Sequence, residues 1–193
     1  MASGPAFISA ISEICGIHHA TLVRLFGALR AARLLPISSG HDIAHLDDQD
    51  CATIICALCA PTPGGAVDSV AAMKTMIRTA ASPNLLSVRP DDQSLWHDLA
   101  DWVGRFGDEI EQAHEPSDDG PLCLWELTVN LDRSWASIFC PIGDNPEDGD
   151  HADYRHQEPD KSVYQHQRRR TFQRMTSVNS LAMETLARLS RRR

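Results

Sequence analysis

From residue 8 to residue 35 the apolar positions of ISAISEICGIHHATLVRLFGALRAARLL fall at helical spacing, break, and resume around a corner. Ile11 and Cys15 stand one turn apart on a first helix, with the small Ser12 where a second helix must approach closely. Gly16 follows at the turn, where a residue lacking a Cβ takes a positive φ at no steric cost. Ile17 plugs the corner, and a second helix starting at His18 directs Leu22, Leu25 and Leu29 back at the first. This spacing predicts a helix-turn-helix.

The next segment extends the pattern. Leu34-Leu35-Pro36 ends the second helix, and residues 37 to 43 place a glycine turn between two short strands. Asp47 or Asp48 then caps an apolar helix running from Cys51 to Cys59. The order helix, helix, hairpin, helix resembles the winged helix-turn-helix domains of bacterial and phage regulators over residues 5 to 60, with TLVRLFGALRAARLLPISSG similar to their recognition helix and wing. The resemblance implies that the second helix enters a DNA major groove. His18, His19, Thr21, Arg24 and Arg30 would then face double-stranded DNA, and Ser39 and His41 would lie on the wing.

Later patterns are mixed. Pro61 to Gly65 has the composition of a linker, and Val67, Val70, Met73, Lys74 and Ile77 share one side of a helix predicted over residues 66 to 81. After a turn-rich stretch from Ser82 to Pro90, a stronger stripe of Leu95, Leu99, Trp102, Phe106 and Ile110 predicts a helix from Ser94, widened by Trp96 and Val103. Gly104 and Gly107 each weaken it by about 1 kcal/mol, so packing must support it. Between residues 122 and 142 the period falls to two: Trp125, Leu127, Val129 and Leu131 alternate with polar residues, a turn follows at Asp132 to Ser134, and Trp135 to Cys140 returns. That is a β-hairpin packed on the Trp102 helix, with Arg170 to Met175 as its third strand. Residues 143 to 160, acidic and nearly devoid of aliphatic side chains, are predicted to be a mobile loop. Thr176 or Ser177 caps a final helix bearing Val178, Leu181, Leu186 and Leu189. The expected fold is α+β and mainly helical. It comprises a winged helix-turn-helix at 1–60, a linker and connecting helix at 61–90, and a domain at 91–193 with a hairpin or three-stranded antiparallel sheet packed on helices.

Charge changes this picture in two places. Residues 1 to 60 carry three basic and five acidic side chains, a net of −2, so one such domain has little phosphate-neutralising power of its own. Residues 61 to 160 carry a net of −14 and residues 161 to 193 a net of +8, which includes Arg168, Arg169 and Arg170. The basic end is expected to contact DNA or to fold back on the acidic middle. A homo-oligomer, with a dimer favoured, would supply the affinity one module lacks, and the acidic middle offers a surface for a protein partner. No run reaches the length of a membrane span and no secretory leader is visible, so no membrane partner is expected and the cytoplasm is the expected compartment.

Catalytic chemistry has no signature in the chain. There is no phosphate-binding loop, dinucleotide fingerprint or nucleophile elbow, and no nucleophile or carboxylate stands at a diagnostic spacing from His18-His19. His41, His45, Cys56 and Cys59 offer a zinc-like set, but the cysteines fall in an apolar helix where buried thiols are routine. No metal and no cofactor are therefore expected, and all six cysteines are read as buried thiols. The function expected is sequence-specific DNA binding by a phage- or prophage-type transcription regulator. The competing classes are an acidic inhibitor that imitates nucleic acid and a viral DNA-packaging recognition subunit. Carboxylates clustered on a rigid face would distinguish the first, and a ring-sized subunit count the second.

Overall fold

A computed structural model of the chain describes residues 4–37, 45–81, 93–112, 126–131, 135–141, 149–156, 176–179 and 188. In chain order these form helices α1 (Gly4–Cys15), α2 (His19–Ala31) and α3 (Asp48–Leu58), a short 3-10 turn at Pro63–Gly65, and α4 (Ala66–Thr75). Strand β1 (Met76–Ala81) and helix α5 (Leu95–Gln112) follow, then strands β2 (Glu126–Asn130), β3 (Trp135–Pro141), β4 (Gly149–His156) and β5 (Thr176–Asn179). The class is α+β. All strand pairs are antiparallel, in the order β1-β4-β3-β2-β5.

The helices begin and end where local chemistry dictates. Asp47 caps α3, accepting from the Asp50 backbone N–H at 2.8 Å while the Asp50 carboxylate accepts from the Asp47 N–H at 3.1 Å. This reciprocal pair satisfies two donors that a helix start leaves open. At the far end of α2, the Leu34 N–H donates to the Leu29 carbonyl and the Arg33 N–H to the Arg30 carbonyl, both at 2.9 Å. Arg33 closes that cap at φ 58°, a left-handed position that glycine more often fills.

Burial raises the Asp50 carboxyl to about 6; the Asp47 N–H it accepts pulls it down and the neighbouring Asp47 charge pushes it up. An acid whose native value lies above its unfolded one favours the native state in its protonated form. The cost of its charge is therefore absent below about pH 4 and complete above about pH 6. Asp50→Asn should stabilise the protein by about 1 kcal/mol at pH 7, after allowing for solvent screening, and by nothing measurable at pH 4. Urea unfolding of parent and variant at both pH values checks this.

Beyond α3 the packing is built from polar ties across an apolar core. Ser69 on α4 donates to the Cys56 carbonyl of α3 at 2.6 Å. The Trp96 indole N–H of α5 donates to Thr53 Oγ1 at 3.0 Å, and that hydroxyl donates to the Gln49 carbonyl at 2.9 Å. Lys74 places its ammonium 4.2 Å from the Trp96 ring centroid, so one indole joins α3, α4 and α5. Buried residues form one continuous cluster from Phe7 through Trp102 to Tyr154. On the sheet's inner face, Leu127 pairs with Ile138 and Ile138 with Ala152, while Val129 pairs with Ala136 and Ala136 with Tyr154.

Three expectations are corrected here. The helix predicted over 66 to 81 stops at Thr75, and Met76–Ala81 is a strand whose buried Met76 and Arg78 alternate with the half-buried Ile77. Within the segment read as a loop, Gly149–His156 is a strand flanked on both sides by neighbours, with Ala152 and Tyr154 buried and His151 and Arg155 exposed. Thr176–Asn179 does not start a helix but pairs with β2 at one edge, so the hairpin grows into a five-stranded sheet rather than a three-stranded one. The strand expected at 170 to 175 and the wing at 38 to 43 lie outside the described residues. Among the described residues no helix is long and apolar enough to cross a membrane.

Candidate nucleic-acid interface

The corner between α1 and α2 takes its shape from three neighbouring residues. Gly16 adopts φ 64°, which turns the chain sharply, and a Cβ there would meet nothing within 4 Å, so the demand is conformational rather than steric. Ser12 Oγ donates to the Ile17 carbonyl at 2.8 Å and closes the turn onto α1. His18 caps α2 by accepting from the Ala20 N–H at its Nδ1, 3.2 Å away. A neutral ring accepting at Nδ1 carries its proton on Nε2, which remains a donor.

Helix α2 is then divided lengthwise. Leu22, Leu25, Phe26 and Leu29 are buried, and with Phe7, Ile8 and Ile11 of α1 they belong to the common core. His19, Ala20, Val23, Arg24, Gly27 and Ala31 are exposed. Thr21 is half-buried at the boundary. The chain has no carboxylate between residues 14 and 41 although it carries 26 in all, so the exposed side of α2 carries the cation Arg24 and no anion. Its electrostatics suit a polyanion despite the protein's net charge of −8.

Arg30 departs from its sequence companions. Its guanidinium carbon lies 5.9 Å from the Phe26 ring centroid, its Nε is buried, and a Cβ added to Gly4 would collide with it. The side chain packs over the start of α1 as much as it faces solvent. Arg24 and Arg33 are the exposed arginines of this region. Sequence reasoning passed over Arg33, and its left-handed φ could not be read from a residue type that seldom adopts it. Ser39, His41, Arg168, Arg169 and Arg170 lie outside the described residues.

The cysteines divide by burial. Cys15 is exposed at the end of α1, contrary to its expected place at the helix contact, whereas Cys51, Cys56 and Cys59 are buried. Cys59 donates to the Ile55 carbonyl at 3.4 Å, and burial pushes its thiol up to about 12. Burial also raises Cys56. Such groups stay protonated at neutral pH. His45 is exposed, and among the described residues no three His, Cys, Asp or Glu side chains converge to hold a metal ion.

A second polar group lies far from α2, under the sheet. Asp98 of α5 accepts from the Tyr154 hydroxyl of β4 at 2.8 Å and from Arg78 of β1 at 3.5 Å, and all three residues are buried. Burial and the Asp98 charge drive the Tyr154 phenol well above its ordinary value, so it acts as a fixed donor. Ser94 and His97, joined at 2.8 Å, look at first like a nucleophile and base. Ser94 Oγ also accepts from the His97 N–H at 3.4 Å, so the serine caps the start of α5 and the histidine ring meets its hydroxyl.

Comparison of the chain with protein-family models, with curated proteins and with solved structures gives no match.

Proposed function

We propose that the protein binds duplex DNA through the exposed side of α2, as a non-enzymatic regulator of the winged helix-turn-helix type. The observation that carries this reading is the division of α2. Its leucines anchor it to α1 across a glycine corner, while His18, His19 and Arg24 project from a stretch without carboxylates. A helix held from behind by buried side chains can enter a major groove with its outer residues free to donate to bases and phosphates. Arg24, exposed in the second turn, is assigned the main base contact. The His18 Nε2–H and the His19 ring are assigned to the adjacent backbone, where contacts fix register rather than sequence.

A net charge of −2 over the first sixty residues limits what one copy can do. Two copies on adjacent half-sites would convert two weak contacts into one strong complex, so the functional unit is assigned as a dimer. Arg24→Ala should weaken binding to duplex DNA by about 1–3 kcal/mol while leaving the melting temperature within about a degree of the parent, because its side chain is exposed. Fluorescence anisotropy across a salt series provides the measurement. Equal affinities for parent and variant would remove α2 from the interface.

A further inference from the structure

We infer that Val23 reads the methyl group of a thymine in the major groove, beside the base met by Arg24. This deepens the DNA-binding reading and rests on it. Val23 is 47% exposed in the interior of α2, and among the described residues only Ile37 is another large apolar side chain so exposed. A β-branched residue there loses rotamer freedom, and Val23 leaves about half of its surface open. On the same side, the positions one turn before and after it are Ala20 and Gly27. Gly27 is exposed, and a Cβ there would meet nothing within 4 Å, so nothing among the described residues requires a glycine at this mid-helix position. Small neighbours leave the two Val23 methyls standing proud of the helix and let the helix axis come close to whatever it meets.

The chemistry of the surroundings selects the occupant. Arg24 lies next to Val23, and no carboxylate occurs between residues 14 and 41, so the face is complementary to a polyanion. A symmetric pairing of two α2 helices along this stripe would bring like charges together with no acid on α2 to meet them. In the major groove the thymine C5-methyl is the apolar feature a base pair presents, and aliphatic side chains recognise it. Val23 beside Arg24 thus specifies a thymine next to the arginine-contacted base.

The test uses the full-length protein and a random-sequence duplex library from which bound DNA is enriched. Each thymine of an enriched duplex is then replaced in turn by uracil, which deletes the methyl group alone. At one position the parent should bind about fourfold more weakly, the worth of one buried methyl. Val23→Ala should be nearly indifferent to that replacement, while Arg24→Ala should bind all versions weakly. If parent and Val23→Ala respond alike at every thymine although binding still depends on Arg24, the inference falls and the DNA-binding reading stands. Failure of the library to enrich overturns both. A dimer in solution that Val23→Ala dissociates, together with indifference to the methyl group, would give the face to a second copy and overturn the inference.

Discussion

Asp98→Ala is expected to destabilise the protein by about 3–5 kcal/mol, the range for removing one partner of a buried ion pair. Asp98 is 0% exposed and Arg78 5%, so truncation removes a buried carboxylate that lies 3.5 Å from a buried guanidinium. It also deprives the Tyr154 hydroxyl of its 2.8 Å acceptor. The three residues come from α5, β1 and β4, so the loss should loosen the seam between helix and sheet. Tyr154→Phe, which leaves the carboxylate and the guanidinium in place, should cost only about 1–2 kcal/mol. Urea unfolding of the parent and the two variants checks the order. An Asp98→Ala midpoint equal to that of the parent would mean that the group does not hold the sheet to α5.

Leu22→Ala should cost about 2–5 kcal/mol, the range for deleting a buried leucine and leaving a cavity. Leu22 is fully buried on the side of α2 that faces the core, next to the corner set by Ser12 and Gly16. Its loss should lower the melting temperature and abolish DNA binding together. Arg24→Ala, two residues on and on the opposite side of the helix, should separate the two effects. If Leu22→Ala bound DNA normally after losing stability, the orientation of α2 would not depend on its packing, and the assignment of α2 to the groove would fail.

How legible each element is follows from where its hydrogen bonds go. Helices close their bonds within the segment, so the stripe Leu22, Leu25, Leu29, the stripe Leu95, Leu99, Trp102 and the Asp47 cap are all written locally. The hairpin at 126 to 141 is legible for a similar reason, since its partner strands are adjacent in the chain. Strand β4 has no such signal: Ala152 and Tyr154 are its buried residues amid Asp, His and Arg, and its bonds go to β3 and to the distant β1. In β5, Thr176 and Ser177 fit a helix cap as well as a strand until pairing with β2 decides between them. The apolar spacing of α4 runs on through Ile77, and only the ladder to β4 turns that segment into a strand.

The candidate site divides the same way. Periodicity alone turned Leu22, Leu25 and Leu29 inward and His19 and Arg24 outward, and it carried an unused signal, because the same period places Val23 outside. Tertiary packing decided that Arg30 lies against Gly4 at the start of α1. It also brought Arg78 and Asp98, twenty positions apart, against Tyr154, fifty-six positions further on. By itself the sequence determined helices α1, α2, α3 and α5, the cap of α3 and the glycine corner, since each depends on residues within a few positions of one another. The order of the sheet, the strand within the acidic segment and the buried charges were decided by the tertiary structure, because their bonding partners meet only when distant segments pack.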